Sequence, residues 1–358
     1  MRTILKGAGS NIIVEQHNEK KPARQKEKSQ TVCFDNPPYV VGRASVVGEK
    51  EGKGPIGKYF HVVKSDDKNG EKTFEKAEID MLHQALTLAT DVLPCKSKDL
   101  DLVISGDLLN QITTSSYVCR DLDVPFLGVY SACSTLSESI AIASGMINAG
   151  YFDTIACCTA SHFATAERQY RYPLEYGCQR PPYSQWTATA AGCTLLSAKY
   201  HSNIVVTKAI YGKVIDYGLN DLNNMGAAMA PAAFDTLKAF LHDTQTTPKD
   251  YDLIVTGDLG KLGSDLLRTL MQEYGMPLGR NYIDCGSLLY YVDQNCYQGA
   301  SGAGCSASAI NSFILEKMEQ GEYNKVAYFA TGALMSTQSC YQGETIPCIS
   351  HGVLFERR

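Results

Sequence analysis

The sequence lacks any apolar run of about 18 residues or more, so no segment reads as a membrane-spanning helix. It lacks a CxxC pair, although thirteen cysteines are scattered through its 358 residues. That scatter argues against structural zinc or a disulfide framework and for buried, reduced thiols in the cytosol, with Cys157 and Cys158 adjacent in an apolar strand. The start of the chain lacks the apolar core of a signal peptide, so export is not expected. It also lacks an excess of positive charge: the formal net charge of −5 leaves no general footprint for nucleic acid. What remains is an ordinary globular composition, 44% hydrophobic and 20% charged, long enough for two domains or one large duplicated one.

Residues 1–30 are basic, with a polar run at Glu15–Gln30, and read as a flexible arm. Residues 31–72 hold short strand-like pieces (TVCF, YVVG, KYFHVV) around a Gly-rich break, and Glu75 to Val92 has helical periodicity through Ile79, Leu82, Leu86 and Ala89. The string KDLDLVISGDLLNQ at 98–111 returns as KDYDLIVTGDLG at 249–260, 151 positions later. Each copy reads as a polar turn, a buried strand and Gly-Asp at the strand's end. Cys133-Ser134 opens a helix that runs to Gly150 and then a strand, and Cys305-Ser306 opens another that runs to Gly321 and a strand. Two echoes in the same order imply an internal duplication, and alternating strands and helices imply an α/β layered fold. The halves, 31–200 and 201–358, divide after Leu195-Leu196-Ser197.

The stretch that organises the chain is 124–150, VPFLGVYSACSTLSESIAIASGMINAG. PFLGVYSA has the length of a buried strand. After Cys133, apolar residues recur at helical spacing (Leu136, Ile140, Ala143, Ile147), and Gly150 is placed to end the helix. A cysteine between a strand and a helix N-terminus meets unpaired N–H groups and the positive end of the helix dipole, which favour a thiolate or the carboxylate of a ligand. The stretch therefore marks either a nucleophile or an anion pocket.

A duplicated α/β chain with a helix-opening cysteine in its first half resembles the thiolase superfamily. The strings SGDLLNQ (105–111), ACSTLSES (132–139), SHFATAERQYRYPLEYG (161–177), NMGAAMAPAA (224–233), TGDLG (256–260), GASGAGCSA (299–307) and IPCISHGVLFE (346–356) narrow this. From about residue 30 to the C-terminus the chain is similar to the stage V sporulation protein AD family. The resemblance implies a thiolase-like fold of two mixed, mostly parallel sheets in α-β-α-β-α layering. It also implies binding of dipicolinic acid, a pyridine with two carboxylates, alone or as its calcium chelate. The family's role places the protein in the forespore cytoplasm, peripherally on the inner spore membrane, beside membrane-embedded subunits of a transport complex. Superfamily members pair through their central sheets, so a homodimer is expected. No cofactor and no metal site of its own is expected.

Claisen-type members of the superfamily activate their cysteine with a His from one second-half turn and an Asn or His from another. Here those turns read TGDLG and GASGAG and hold neither, and Asp258 is a poor replacement because a carboxylate raises a thiol's pKa. The expected protein is therefore a binder, not an enzyme. The alternative is an acyltransferase or condensing enzyme with Cys133 as nucleophile. The candidate ligand-binding residues are Cys133, Ser134, His162, Arg168, Arg171, Cys348, His351 and Asp107. Arg168 and Arg171 share a turn with His162, Glu167, Glu175 and three tyrosines; a flat dianion needs planar donors and aromatic surface, which Arg and Tyr supply. Cys348 and His351 form the C-terminal turn, where one His remains near the nucleophile position. Asp107 and Asp258 sit in equivalent turns, where caps of backbone N–H groups compete with calcium contact as their role.

Overall fold

Ten strands build the frame. A computed structural model describes residues 2–7 and 10–15 by their backbone, and 29–358 apart from Tyr172, Pro173, Glu175, Tyr176 and Cys178. Glu175 therefore lies outside the described residues, as do residues 16–28 of the polar run Glu15–Gln30. Within the basic arm, Arg2–Gly7 and Ser10–Glu15 pair antiparallel as a two-stranded ladder. The β-branched residues of RTILKG and SNIIVE supply the strand preference that a reading of charge alone passed over.

The first half contributes β1 (Tyr39–Val47), β2 (Leu102–Asp107), β3 (Phe126–Gly128), β4 (Thr154–Ser161) and β5 (Ala190–Ser197). The second contributes β6 (Ile204–Tyr211), β7 (Leu253–Thr256), β8 (Tyr282–Asp284), β9 (Lys325–Ala333) and β10 (Cys348–Arg357). Spatial order is β1-β5-β4-β2-β3 in one half and β6-β10-β9-β7-β8 in the other, the same order twice. In each sheet four strands point one way and the fifth, β5 or β10, runs against its two neighbours. A single pairing of Val205 with Tyr39 joins the two sheets edge to edge.

Helices α1 (Phe74–Thr90) and α2 (Thr113–Leu122) cover the outside of the first sheet, and α5 (Met225–Thr244) and α6 (Gly260–Glu273) cover the second. Between the sheets lie α3 (Thr135–Asn148) and α7 (Ala303–Ala309), which touch each other; α4 (Phe163–Tyr170) follows β4. Thr73 caps α1 by accepting from the Lys76 N–H at 3.3 Å, and Ala77, Met81, Leu82, Ala85, Leu86 and Ala89 bury one stripe of it. Burying each large side chain of that stripe contributes about 1.5–3 kcal/mol. The middle layer is held by Leu136, Ile140 and Ile147 of α3 packed with Cys305, Ile310 and Ile314. Gly150 ends α3 at φ +75°, where a side chain would be strained.

The strand expected over PFLGVYSA shortens to three residues. It is the outermost member of its sheet, paired only with β2, and its residues are half-buried or exposed. An edge position needs no long ladder, so the chain leaves the sheet at Val129 and turns toward the cysteine.

Candidate functional site around Cys133 and Asp258

Both Gly-Asp turns lie at the C-terminal ends of parallel strands, where open α/β sheets form their crevices. Ala132 adopts φ +50°, a left-handed conformation that non-glycine residues rarely take, and so presents Cys133 at the head of α3. Opposite it stands Asp258, fully buried, whose Oδ2 accepts from the Gly302 N–H at 2.9 Å and the Ser301 hydroxyl at 3.2 Å. Gly302 reaches it at φ +101°. Oδ1 of Asp258 has no hydrogen-bond partner among the described residues, and the Cys133 thiol lies near enough for this carboxyl group to act on it.

Burial first, and the Asp258 carboxylate second, push the Cys133 thiol well above its ordinary value, while the Gly302 N–H and Ser301 pull only weakly the other way. The helix N-terminus expected to favour a thiolate is thus outweighed, and Cys133 is a thiol. Asp258 itself is raised to about 7, by burial above all, with the nearby Cys133 opposing and Asp284 adding to the rise.

The cavity against Cys133 is narrow, about 30 Å³, lined by Tyr130, Tyr170, Arg171, Ser301, Gly302 and several apolar residues. That is room for water, not for an aromatic ring. Arg171 forms part of its wall and also of a wider recess of about 500 Å³ whose other walls include Glu167, Arg180, Gln179, Phe163 and Trp186. In the recess the rings of Phe163 and Trp186 stack with centroids 3.7 Å apart, and the Arg180 guanidinium sits 5.0 Å from the Trp186 ring. Glu167 Oε1 accepts from Arg171 at 2.7 Å and from Arg180 at 3.2 Å, so one carboxylate faces two guanidinium groups. Burial lowers the Arg180 pKa, and its Nη1 has no partner among the described residues.

Of the residues expected at the site, the fold brings Cys133 and Arg171 together. Ser134 turns its hydroxyl back to the Ser131 carbonyl at 2.7 Å. His162 caps α4 through Nδ1, which accepts from the Ala164 N–H at 3.2 Å, while Nε2 donates to the Asp67 carbonyl at 2.7 Å; it is neutral, its pKa lowered chiefly by burial. Arg168 pairs with Glu75 in a separate cleft beside Asn110 and Gln338. Asp107 is buried behind Leu108 and accepts from the Leu109 N–H, the Ser115 N–H and the Ser115 hydroxyl at 2.8–3.0 Å, bracing the start of α2. Cys348 and His351 are buried in β10; His351 Nδ1 accepts from the Gly212 N–H at 3.3 Å, and neither side chain lines the Cys133 cavity.

Residues that the sequence reading passed over are Tyr130, Arg180, Phe163 and Trp186, whereas Tyr170 is one of the three tyrosines it expected near the ligand. Trp186 is the chain's single tryptophan, which composition alone makes visible, but nothing in the sequence ties Arg180, six residues before it, to the site. Among the described residues, no group of three or more His, Cys, Asp or Glu is arranged to hold a metal ion. Nor is any helix there long and apolar enough to cross a membrane.

Two duplicated sheets enclosing a cysteine-headed helix define a thiolase-like fold, and solved structures agree. Acetyl-CoA acetyltransferase from Syntrophomonas wolfei superposes with a TM-score of 0.61 at 9% identity, over 91% of this chain and 100% of its own. 3-Oxoacyl-(acyl-carrier-protein) synthase III from Aquifex aeolicus VF5 gives a TM-score of 0.55 at 12% identity, over 89% and 99%. Residues 28–356 match the family described as stage V sporulation protein AD, and the chain belongs to that family. Stage V sporulation protein AD of Bacillus subtilis (strain 168) is 42% identical over 328 residues, which span 92% of this chain and 97% of that protein.

Proposed function

We propose that this sporulation protein is a binder of dipicolinic acid, free or as its calcium chelate, and carries out no acyl transfer. The observation that carries the reading is the pairing of Cys133 with the buried Asp258 carboxyl beside a recess that holds Arg171, Arg180 and the Phe163–Trp186 stack. A nucleophile needs its thiolate, and a carboxylate partner works against one. A planar dianion needs guanidinium forks and an aromatic face, and the recess offers both. Glu167 alone leaves the two guanidinium groups with one net positive charge, which a dianionic ligand complements.

In this role the protein serves a transport complex as its dipicolinate receptor, working in the forespore cytoplasm at the inner spore membrane with membrane-embedded subunits. A homodimer through the uncovered edge at β3 is the assembly in keeping with the fold. Calorimetric titration of the purified protein with dipicolinate, with and without calcium, tests the reading. Saturable binding that Arg171→Ala weakens supports it, and the absence of binding to folded protein discards it. Intact-mass detection of a thioester on Cys133 after incubation with acyl-CoA would favour the condensing-enzyme reading instead.

A further inference from the structure

Tyr170 is the one residue, among those described, that lines both the Cys133 cavity and the cleft of Arg168. On its inner side the cavity holds about 30 Å³; on its outer side the cleft holds about 500 Å³. The outer walls are polar, with Asn110, Gln169, Ser336 and Gln338 among them. The Tyr170 ring packs on Leu108, Ala132, Ala166 and Ala303. It therefore fills the gap between the turn before Cys133, α4 and α7, and three of its four neighbours are alanines.

Two hydrogen bonds latch the ring in place. Its hydroxyl donates to the Leu108 carbonyl at 2.5 Å and accepts from the Tyr130 hydroxyl at 3.1 Å. The latch is cheap to release. Gln169 Nε2 donates to the same Leu108 carbonyl at 3.0 Å, so that acceptor keeps a partner when Tyr170 leaves. Tyr130 is 43% exposed, and its hydroxyl can exchange Tyr170 for water. Tyr170 is also the last residue of α4, and helix ends are where local opening costs least.

We propose that Tyr170 is a gate between the polar cleft and the Cys133 thiol. Latched, it keeps the cavity at the size of a water molecule. Swung outward to another rotamer, it places its hydroxyl among the polar walls of the cleft and joins the two spaces into one pocket. The slot it vacates has the size of its own ring and is walled by Leu108 and the three alanines. The open pocket thus admits one flat aromatic ring, with Cys133 at its inner end. This concerns access to Cys133 alone and holds whatever ligand the Arg171–Arg180 recess takes.

The test is thiol labelling of the full chain with iodoacetamide, which is small, and with N-phenylmaleimide, which carries one ring. Peptide mass mapping gives the rate at each cysteine. The readout is the ratio of the phenylmaleimide rate to the iodoacetamide rate at Cys133, referred to the same ratio at the exposed Cys33. Thiolate fraction cancels from this ratio, so it reports access and not ionisation. Tyr170→Phe keeps the ring but loses both latch bonds, and should raise the ratio about three- to tenfold. Tyr170→Ala removes the ring and should raise it by about tenfold or more. Cys157 and Cys158, fully buried in β4, report general loosening. A ratio unchanged in both variants would overturn the proposal, and so would labelling of Cys157 and Cys158 that rises in step with Cys133. Should Tyr170→Ala fail to fold, Tyr170→Phe decides.

Discussion

The Cys133 thiol lies close to the buried carboxyl group of Asp258, and burial together with that neighbouring carboxylate holds the residue at the nucleophile position in its protonated form. Removing the charge should release it. In Asp258→Asn the thiol remains buried but loses the carboxylate that opposes ionisation, and a change of one pKa unit is about tenfold in thiolate. Alkylation of Cys133 by iodoacetamide at pH 8, followed by peptide mass mapping, should run about tenfold faster than in the wild type. Cys33, a free cysteine exposed at the surface, serves as the unchanged internal standard. An unaltered Cys133 rate would show that burial alone sets its reactivity.

How far the sequence carried this reading differs between elements. The duplication was legible because strand, Gly-Asp turn and cysteine-headed helix recur in one order, and each is a local pattern. The layering followed from α/β alternation. The strand at 126–128 was not legible in length, because only its place at the sheet edge shortens it. That Asp258 is a poor base follows from its chemistry alone, but its approach to Cys133 joins residues from the two halves and exists only in the fold. Arg168 and Arg171 looked alike in sequence. Three residues is less than one helical turn, and that rotation, with the chain leaving α4 after Tyr170, sends one to Glu75 and the other to Glu167. Arg180 enters through a stacking partner six residues away, which no spacing rule anticipates.

That divergence of the two arginines predicts different costs. Arg171→Ala should weaken dipicolinate by about 1.5–3 kcal/mol, the range for a hydrogen bond to a charged group. Arg168→Ala should leave affinity within about 0.5 kcal/mol, because its exposed pair with Glu75 is screened by water. Titration of both variants beside the wild type checks this. A loss confined to Arg168→Ala would place the ligand in the cleft of Arg168. Thermal melts should show Arg171→Ala still folded, since Glu167 keeps Arg180 as a partner.

His351 gives the protein a defined acid sensitivity. Burial lowers its pKa from 6.5 to about 4. A histidine depressed on folding contributes stability that is fully present above the unfolded pKa and lost as pH falls through the folded one. Stability should therefore drop between about pH 6.5 and 4, with this residue supplying about 3 kcal/mol of the loss. Denaturant melts across that window should be flatter in His351→Asn, whose side-chain oxygen can still accept from the Gly212 N–H. A slope unchanged by the substitution would assign the acid loss to other groups.

Gly302 and Gly145 make opposite predictions from one kind of substitution. Gly302 holds φ +101° to point its N–H at Asp258, and a Cβ there would lie 2.8 Å from Ser161 Oγ and 2.9 Å from Thr187 Cγ2. Gly302→Ala is strained in its backbone and crowded in its surroundings, and should destabilise by about 1–3 kcal/mol. It should also loosen the grip on Asp258 and so change the Cys133 alkylation rate. Gly145 lies inside α3, and a Cβ added there meets nothing within 4 Å. Gly145→Ala should stabilise by about 0.4–1 kcal/mol, by restricting the unfolded chain and favouring the helix. Denaturant unfolding of the two variants, with alkylation read on both, separates the effects. A stable Gly302→Ala with unaltered Cys133 reactivity would mean that the Gly302 N–H is not what fixes Asp258 against the thiol.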